Sequence, residues 1–203
     1  MLIATIFIIF INKYKYININ TTMAQLIEKF AQGGSPKESK LCSAGADHVK
    51  DRDTLIDLLK DAFCEEMNAW YQYLIVAPFL KGNERTEIAE SFEEQAKDEL
   101  EHHAYWLLER INMLGGCIDN IQSPDQWNKI ATHKYIVPDE ALTVESALIQ
   151  NIEAERGAIE TYLALEKFTR DIDPVSNQKI KEILADEEEH LQVLLEYLED
   201  IKK

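Results

Sequence analysis

Glycine and proline are scarce, 7 and 5 among 203 residues. With Glu, Leu, Ala, Ile and Lys abundant, that scarcity favours helix over sheet. Cysteine is nearly absent: Cys42, Cys64 and Cys117 fit no zinc-finger spacing. An odd number without a clear export signal points to reduced thiols and a cytoplasmic setting. No apolar run spans a bilayer, because Leu2 to Ile11 is only ten residues and lacks both a basic leader and a small-residue cleavage site. Positive charge is in deficit as well. Twenty-one Lys and Arg stand against 37 Asp and Glu, a formal charge of -16. This argues against a general phosphate-binding surface and against DNA as a main partner, and is compatible with attracting cations. What is present is apolar: 46% of the chain, sufficient for the core of one domain.

The amino-terminal part reads separately. Asn12 to Thr22 is a low-complexity run, and Met23-Ala-Gln-Leu-Ile-Glu-Lys-Phe resembles a natural start, so residues 1–22 are expected to be an upstream extension. Residues 24–31 have a short amphipathic pattern, broken by Gly33-Gly34-Ser35-Pro36. The division expected is an arm over 1–49 and one domain over 50–203.

Four long helical patterns follow. The first runs from an N-cap at Asp53 to Leu80, with its stripe at Leu55, Leu59, Ala62, Glu66, Ala69, Tyr73, Val76 and Leu80. A short link at Lys81-Gly82-Asn83 predicts an antiparallel second helix over Glu84–Leu114, carrying Ile88, Phe92, Glu99, His102 and Trp106. Gly115-Gly116 ends it, and the next strong pattern begins only near Thr143. That gap holds Ser123-Pro124, an N-cap and first-turn proline, predicting a short helix over 123–130 within a crossover. The third helix, Thr143–Arg170, aligns Leu148, Ile152, Glu155, Ile159 and Tyr162. The fourth starts at Asp173-Pro174 and aligns Ile180, Ile183, Glu187, His190, Leu194, Tyr197 and Ile201. Short, long and short connections make an all-α, up-down-down-up four-helix bundle with one long crossover.

Each stripe is interrupted by a carboxylate, and two by an imidazole. Glu99 lies 33 positions after Glu66 and Glu187 lies 32 after Glu155, and each second glutamate has a histidine three residues on. The two halves thus repeat, and a pseudo-two-fold bundle brings Glu66, Glu99, His102, Glu155, Glu187 and His190 together at mid-height. Four carboxylates in an apolar interior are costly unless cations neutralise them. Two divalent ions with mixed O/N ligation, iron or manganese, suit the set, which is the donor pattern of di-iron and di-manganese carboxylate bundles. A lone Glu-x-x-His is more often a solvated helix face; the duplication favours metal. Glu65, Glu101, His103, Glu153, Glu160, Glu188 and Glu189 fall off the stripes and read as structural or solvated. Tyr73 and Tyr162 lie two turns from Glu66 and Glu155, placed to bond ligands, pass electrons or simply fill the core.

Glu66-Met-Asn-Ala-Trp-Tyr-Gln-Tyr, Asp98-Glu-Leu-Glu-His-His and Asp186-Glu-Glu-Glu-His resemble the ligand motifs of bacterioferritin-type members of the ferritin-like superfamily over residues 50–201. The resemblance implies a di-iron ferroxidase centre with two iron ions per subunit, manganese or zinc being possible substitutes. Bacterioferritins bind haem through a methionine where this chain has Leu100, so haem is not expected. The short crossover helix resembles the Dps architecture, and the combination resembles Dps-like thioferritins. These imply a 12-subunit shell that oxidises Fe(II) with H2O2 or O2 and stores ferric mineral. That group carries paired cysteines near the site. Here a Cys42–Cys117 contact is the expectation, since Cys117 lies 18 residues beyond Glu99, about 27 Å along a helix. Two alternatives stand beside the ferroxidase: a non-storage di-iron or di-manganese peroxidase or catalase, and a DNA-binding starvation shell using Lys29, Lys37 and Lys40.

Overall fold

A computed structural model of the chain describes residues 46, 48–138 and 142–203. The expectations for residues 1–45, including Cys42, lie outside them. Helix α1 is Arg52–Val76. It begins one residue before the expected cap, and Asp53 stands inside its first turn, where a carboxylate complements the helix dipole. It ends at Val76 rather than Leu80 because Pro78 has no N–H to continue the ladder, and the chain tightens into a 3-10 turn at Ala77–Phe79.

Helix α2 is continuous but not uniform: Arg85–Asp98 is α-helical, Glu99–Ala104 is a π segment, and Tyr105–Met113 is α-helical again. The π character is seen where the Tyr105 N–H reaches the Leu100 carbonyl, five residues back. Gly115, at φ 82°, closes the helix: its N–H bonds the Asn112 carbonyl at 2.9 Å, and that of Gly116 bonds Ile111 at 2.8 Å. The crossover holds α3, Pro124–Ile130, with Ser123 extended at its N-cap position. Helix α4, Val144–Thr169, is capped by the Thr143 hydroxyl, and α5, Pro174–Asp200, by the Asp173 carboxylate.

The start of α4 is joined to the α1–α2 link by a short parallel bridge, Lys81 N–H to the Leu142 carbonyl at 2.9 Å and Val144 N–H to the Lys81 carbonyl at 3.1 Å. Both connections therefore meet at one end of the bundle, and the order of directions is up, down, down, up. Among the described residues there is no strand, and no helix is long and apolar enough to cross a membrane.

The core is in two parts. One contains Leu55, Leu59, Leu107, Ile111, Leu165 and Ile180; the other contains Val76, Ile88, Phe92, Leu148, Ile152 and Leu194. Between them in sequence on all four long helices lie the glutamates of the four stripes, so a polar layer is held between two apolar ones. The ion pair between Arg110 and Asp173, 2.6 Å, locks α2 to the start of α5 in the interior, with Ser176 Oγ accepting from Arg110 Nε at 2.8 Å.

Candidate metal centre

Each long helix sends one glutamate inward. Glu66, Glu99, Glu155 and Glu187 are 2, 1, 1 and 0% exposed. Their atoms form two overlapping groups, Glu66/Glu99/His103/Glu187 and Glu99/Glu155/Glu187/His190, each with its ligand atoms within 4.8 Å of one another. Glu99 and Glu187 belong to both. Glu66 with His103 closes one side, and Glu155 with His190 the other.

Five of the six residues inferred from the sequence thus converge. His102 does not. It is 60% exposed, with Nε2 3.7 Å from Asp98, while His103 takes the interior place with no exposure. His103 Nδ1 lies 2.9 Å from Glu99, 3.1 Å from Glu187 and 3.6 Å from Glu66. The π segment is the cause. A uniform α-helix puts the residue three after Glu99 on its face, but one extra residue within the turn passes that place to the fourth. The phase slip is visible in the sequence: buried Glu99, His103, Leu107 and Ile111 follow at successive spacings of four, more than an unbroken α-helix keeps on one stripe. Trp106, placed on the stripe by the uniform reading, is only partly buried.

The two histidines are related as the pseudo-symmetry requires. Both turn Nδ1 inward: that of His190 lies 3.3 Å from Glu99 and 3.5 Å from Glu187. Both turn Nε2 to the aspartate that precedes a central glutamate, His103 to Asp186 at 3.3 Å and His190 to Asp98 at 3.7 Å. Such outer carboxylates fix ring orientation and raise ligand basicity. The tyrosines cross over. Tyr73, on the helix of Glu66, donates to Glu155 Oε1, and Tyr162, on the helix of Glu155, donates to Glu66 Oε1.

Burial raises the Glu66 and Glu155 carboxyls well above the ordinary range, and the charges of Glu187 and Glu99 add to this. Burial opposes charge on the histidines, but the carboxylates outweigh it. His103 is raised strongly by Asp186, Glu187, Glu66 and Glu99, and His190 is pushed up to about 12 by Glu187 and Glu99. Burial would raise Glu99 too, yet contacts from His103 and His190 hold it below the usual carboxylate range. Protons therefore balance the acids when no cation does. Glu99 Oε1, both Glu187 oxygens and His190 Nδ1 are buried without a well-directed hydrogen bond, although they stand within ion-pair reach of one another. Native interiors rarely leave such atoms orphaned, and unused lone pairs converging on two points fit two hard or borderline cations.

Glu65, read from the sequence as structural or solvated, is buried and ties the crossover to the bundle through His133 and Thr161. Nothing in the α1 stripe signals this, because its partners come from 68 and 96 residues away. Glu101, Glu153, Glu160, Glu188 and Glu189 are exposed. Cys64 is buried, and burial followed by the charges of Asp61 and Glu65 pushes its thiol well up. Cys117 is exposed with Sγ 3.1 Å from Asp119, and its expected partner Cys42 lies outside the described residues.

The helices and this paired constellation define a class, the four-helix bundles built around two facing carboxylate–histidine sets. The chain belongs to the ferritin-like family, whose domain matches residues 56–203. It is similar to a dodecameric thioferritin, the bacterioferritin-related protein of Bacteroides fragilis. The two are 39% identical, over 75% of this chain and 88% of that one, with a TM-score of 0.71. A ferritin-like, diiron-carboxylate protein of Bacillus anthracis str. Ames is 25% identical, over 73% and 98% of the two chains, with a TM-score of 0.59. An archaeal Dps homologue from Halobacterium salinarum, 20% identical over 81% and 93%, TM-score 0.68, shares the fold. No protein of curated function matches the chain.

Proposed function

We propose that this protein is a ferroxidase of the Dps-like, thioferritin type, which oxidises Fe(II) with peroxide or dioxygen at an intrasubunit dinuclear centre and stores the ferric product. The observation that carries this reading is the sharing of Glu99 and Glu187 between two four-residue groups that each end in one glutamate and one histidine. Iron is here the substrate. Glu66 and His103 hold one ferrous ion, Glu155 and His190 the other, and Glu99 and Glu187 serve both. His103 replaces His102 in the ligand set inferred from the sequence.

With the two ions side by side, each gives one electron to the same peroxide. The peroxide takes both electrons and two protons and leaves as two waters, so no one-electron hydroxyl radical is released. The chain's part is to hold both reductants together, to supply counter-charge as ions come and go, and to keep the ligands turned inward through Tyr73, Tyr162, Asp98 and Asp186. Manganese and zinc suit the same donors.

Assembly follows the similarity to the dodecameric relative: residues 50–203 form the shell subunit, twelve to a shell. The acidic charge of -16 favours cation uptake and mineral over DNA, and the unpaired thiols Cys64 and Cys117 accord with the cytoplasm.

Stopped-flow Fe(II) oxidation with H2O2 and with O2, on wild type and on Glu66→Ala and His190→Ala, tests the reading. Both variants should lose rapid oxidation while keeping the assembly mass, and unchanged kinetics would refute it. A small assembly that turns over peroxide without accumulating iron would instead favour a peroxidase or catalase. Tight binding in a gel shift would favour a DNA-compacting shell.

A further inference from the structure

A narrow cleft of about 40 Å³ leads inward between α1 and α4 beneath the crossover. At about 10–15 Å³ per water, it has room for roughly three. It is lined by Glu65, Glu153 and His133 and by Glu66, Glu155 and Glu187 of the candidate centre. Exposed Glu153 and the buried acids thus border one continuous space. The small side chains of Ala69, Ala154 and Ala158 also line it.

His133 of the crossover closes one wall of this cleft. Its backbone N–H donates to Glu65 Oε1 at 2.8 Å and its ring Nδ1 lies 3.1 Å from the same oxygen, while Thr161 Oγ1 on α4 donates to Glu65 Oε2 at 2.7 Å. One carboxylate therefore joins α1, α4 and the crossover at the side of the passage. The ring's Nε2 faces Glu160, 3.6 Å away at the surface. The seat for the ring is built into α4. Gly157 lies in the middle of that helix, where glycine weakens helical structure, and a Cβ there would stand 2.8 Å from His133 Cγ. No side chain larger than hydrogen lets the ring lie where it does.

A tether alone explains the hydrogen bonds. It does not explain why the tether lies on the acidic space that leads to the candidate centre. We infer that the Glu65–His133 contact is a latch on the passage by which divalent cations reach the dinuclear centre, an inference that rests on the function proposed above. When the ring swings off Glu65, the freed carboxylate faces the passing cation. When the ring returns, it holds that carboxylate against the wall and narrows the passage. The latch acts on passage and not on the ligands. It therefore changes the rates of arrival and departure together and leaves the binding equilibrium alone.

Co(II), followed by its visible absorption in a stopped-flow instrument, tests this on the whole chain. His133→Ala removes the latch ring, and Gly157→Ala displaces it without substituting either Glu65 or His133. In each, association and dissociation should both accelerate by roughly tenfold or more, the factor for losing one charge-assisted hydrogen bond. The stoichiometry should stay at two ions per chain and the Kd within about twofold. The two variants report independently, and circular dichroism checks that each is folded. Wild-type rate constants in both folded variants overturn the latch. So does a large change in Kd without matched changes in the two rates, since that marks a ligand-supporting role. A wild-type chain that takes up no pair of Co(II) ions overturns the dinuclear reading itself, and the latch with it.

Discussion

The sharpest consequence of the π segment concerns two neighbouring histidines. His103→Ala removes a ring with no exposed surface, 2.9 Å from Glu99 and 3.1 Å from Glu187. His102→Ala removes one that is 60% exposed and approaches only Asp98, at 3.7 Å. Losing one partner of a buried ion pair costs about 3–5 kcal/mol. For a chain of this size 1 kcal/mol corresponds to about 2–4 °C, so the metal-free His103→Ala protein should melt lower by roughly 6–20 °C. The exposed change should stay within about 0.5 kcal/mol. Metal affinity should separate the two still further. Even outer-sphere groups change affinity by about 10–100-fold when removed, so the loss of His103 Nδ1 should cost at least about 100-fold. His102→Ala should remain within a few-fold of wild type. Co(II) titration by calorimetry and absorption, alongside thermal melts of the metal-free proteins, measures both quantities. If His102→Ala proved the more damaging, the segment would be an unbroken α-helix with His102 inside, and the register described for Glu99–Ala104 would be wrong.

Three further outcomes are expected. Deletion of Glu101 takes one residue out of the π turn and leaves His103 three positions after Glu99; the shortened chain should still bind two Co(II) ions, and His103→Ala in that background should still weaken binding by at least about 100-fold. Burial raises Asp173, but Arg110 and Ser176 outweigh it and hold it low. Its stabilisation is therefore full above about pH 4, the unfolded value, and lost as pH falls through the lower folded value; Asp173→Asn, which keeps a capping oxygen, should cost about 3 kcal/mol at pH 7 and flatten the acid limb of the stability curve. Glu66, Glu155, His103 and His190 all have raised values, so cations must displace protons. Calorimetry in buffers of different ionisation heat should show proton release, and affinity should rise with pH across the neutral range; proton-neutral binding would contradict the assignment.

Much of the fold is legible because helix signals are local. Thr143 and Asp173 are caps that accept from backbone N–H groups in the structure, Gly115 supplies the positive φ that ends α2, and Pro124 opens the short crossover helix. Glu66, Glu155, Glu187 and His190 stood out for a related reason: a charge within an apolar stripe conflicts with its surroundings, and the conflict is visible at a period of 3.6 residues. The same rule misplaced His102, since it assumes that the period never changes. A π turn adds one residue without adding a break, and only the continuation Leu107 and Ile111 betrays the shift.

The sequence by itself determined the number of long helices, the short-long-short order of their connections and the level at which carboxylates interrupt them, because each is written in spacing along one segment. Tertiary structure decided which of two adjacent histidines turns inward, that Tyr73 and Tyr162 each bond the glutamate of the other's helix, and that Glu65 meets His133 and Thr161. The first outcome depends on a π turn that changes the period within α2, and the last two on where separate helices come to lie against one another. Contacts between residues 68 to 96 positions apart leave no period along a single helix from which they could be read.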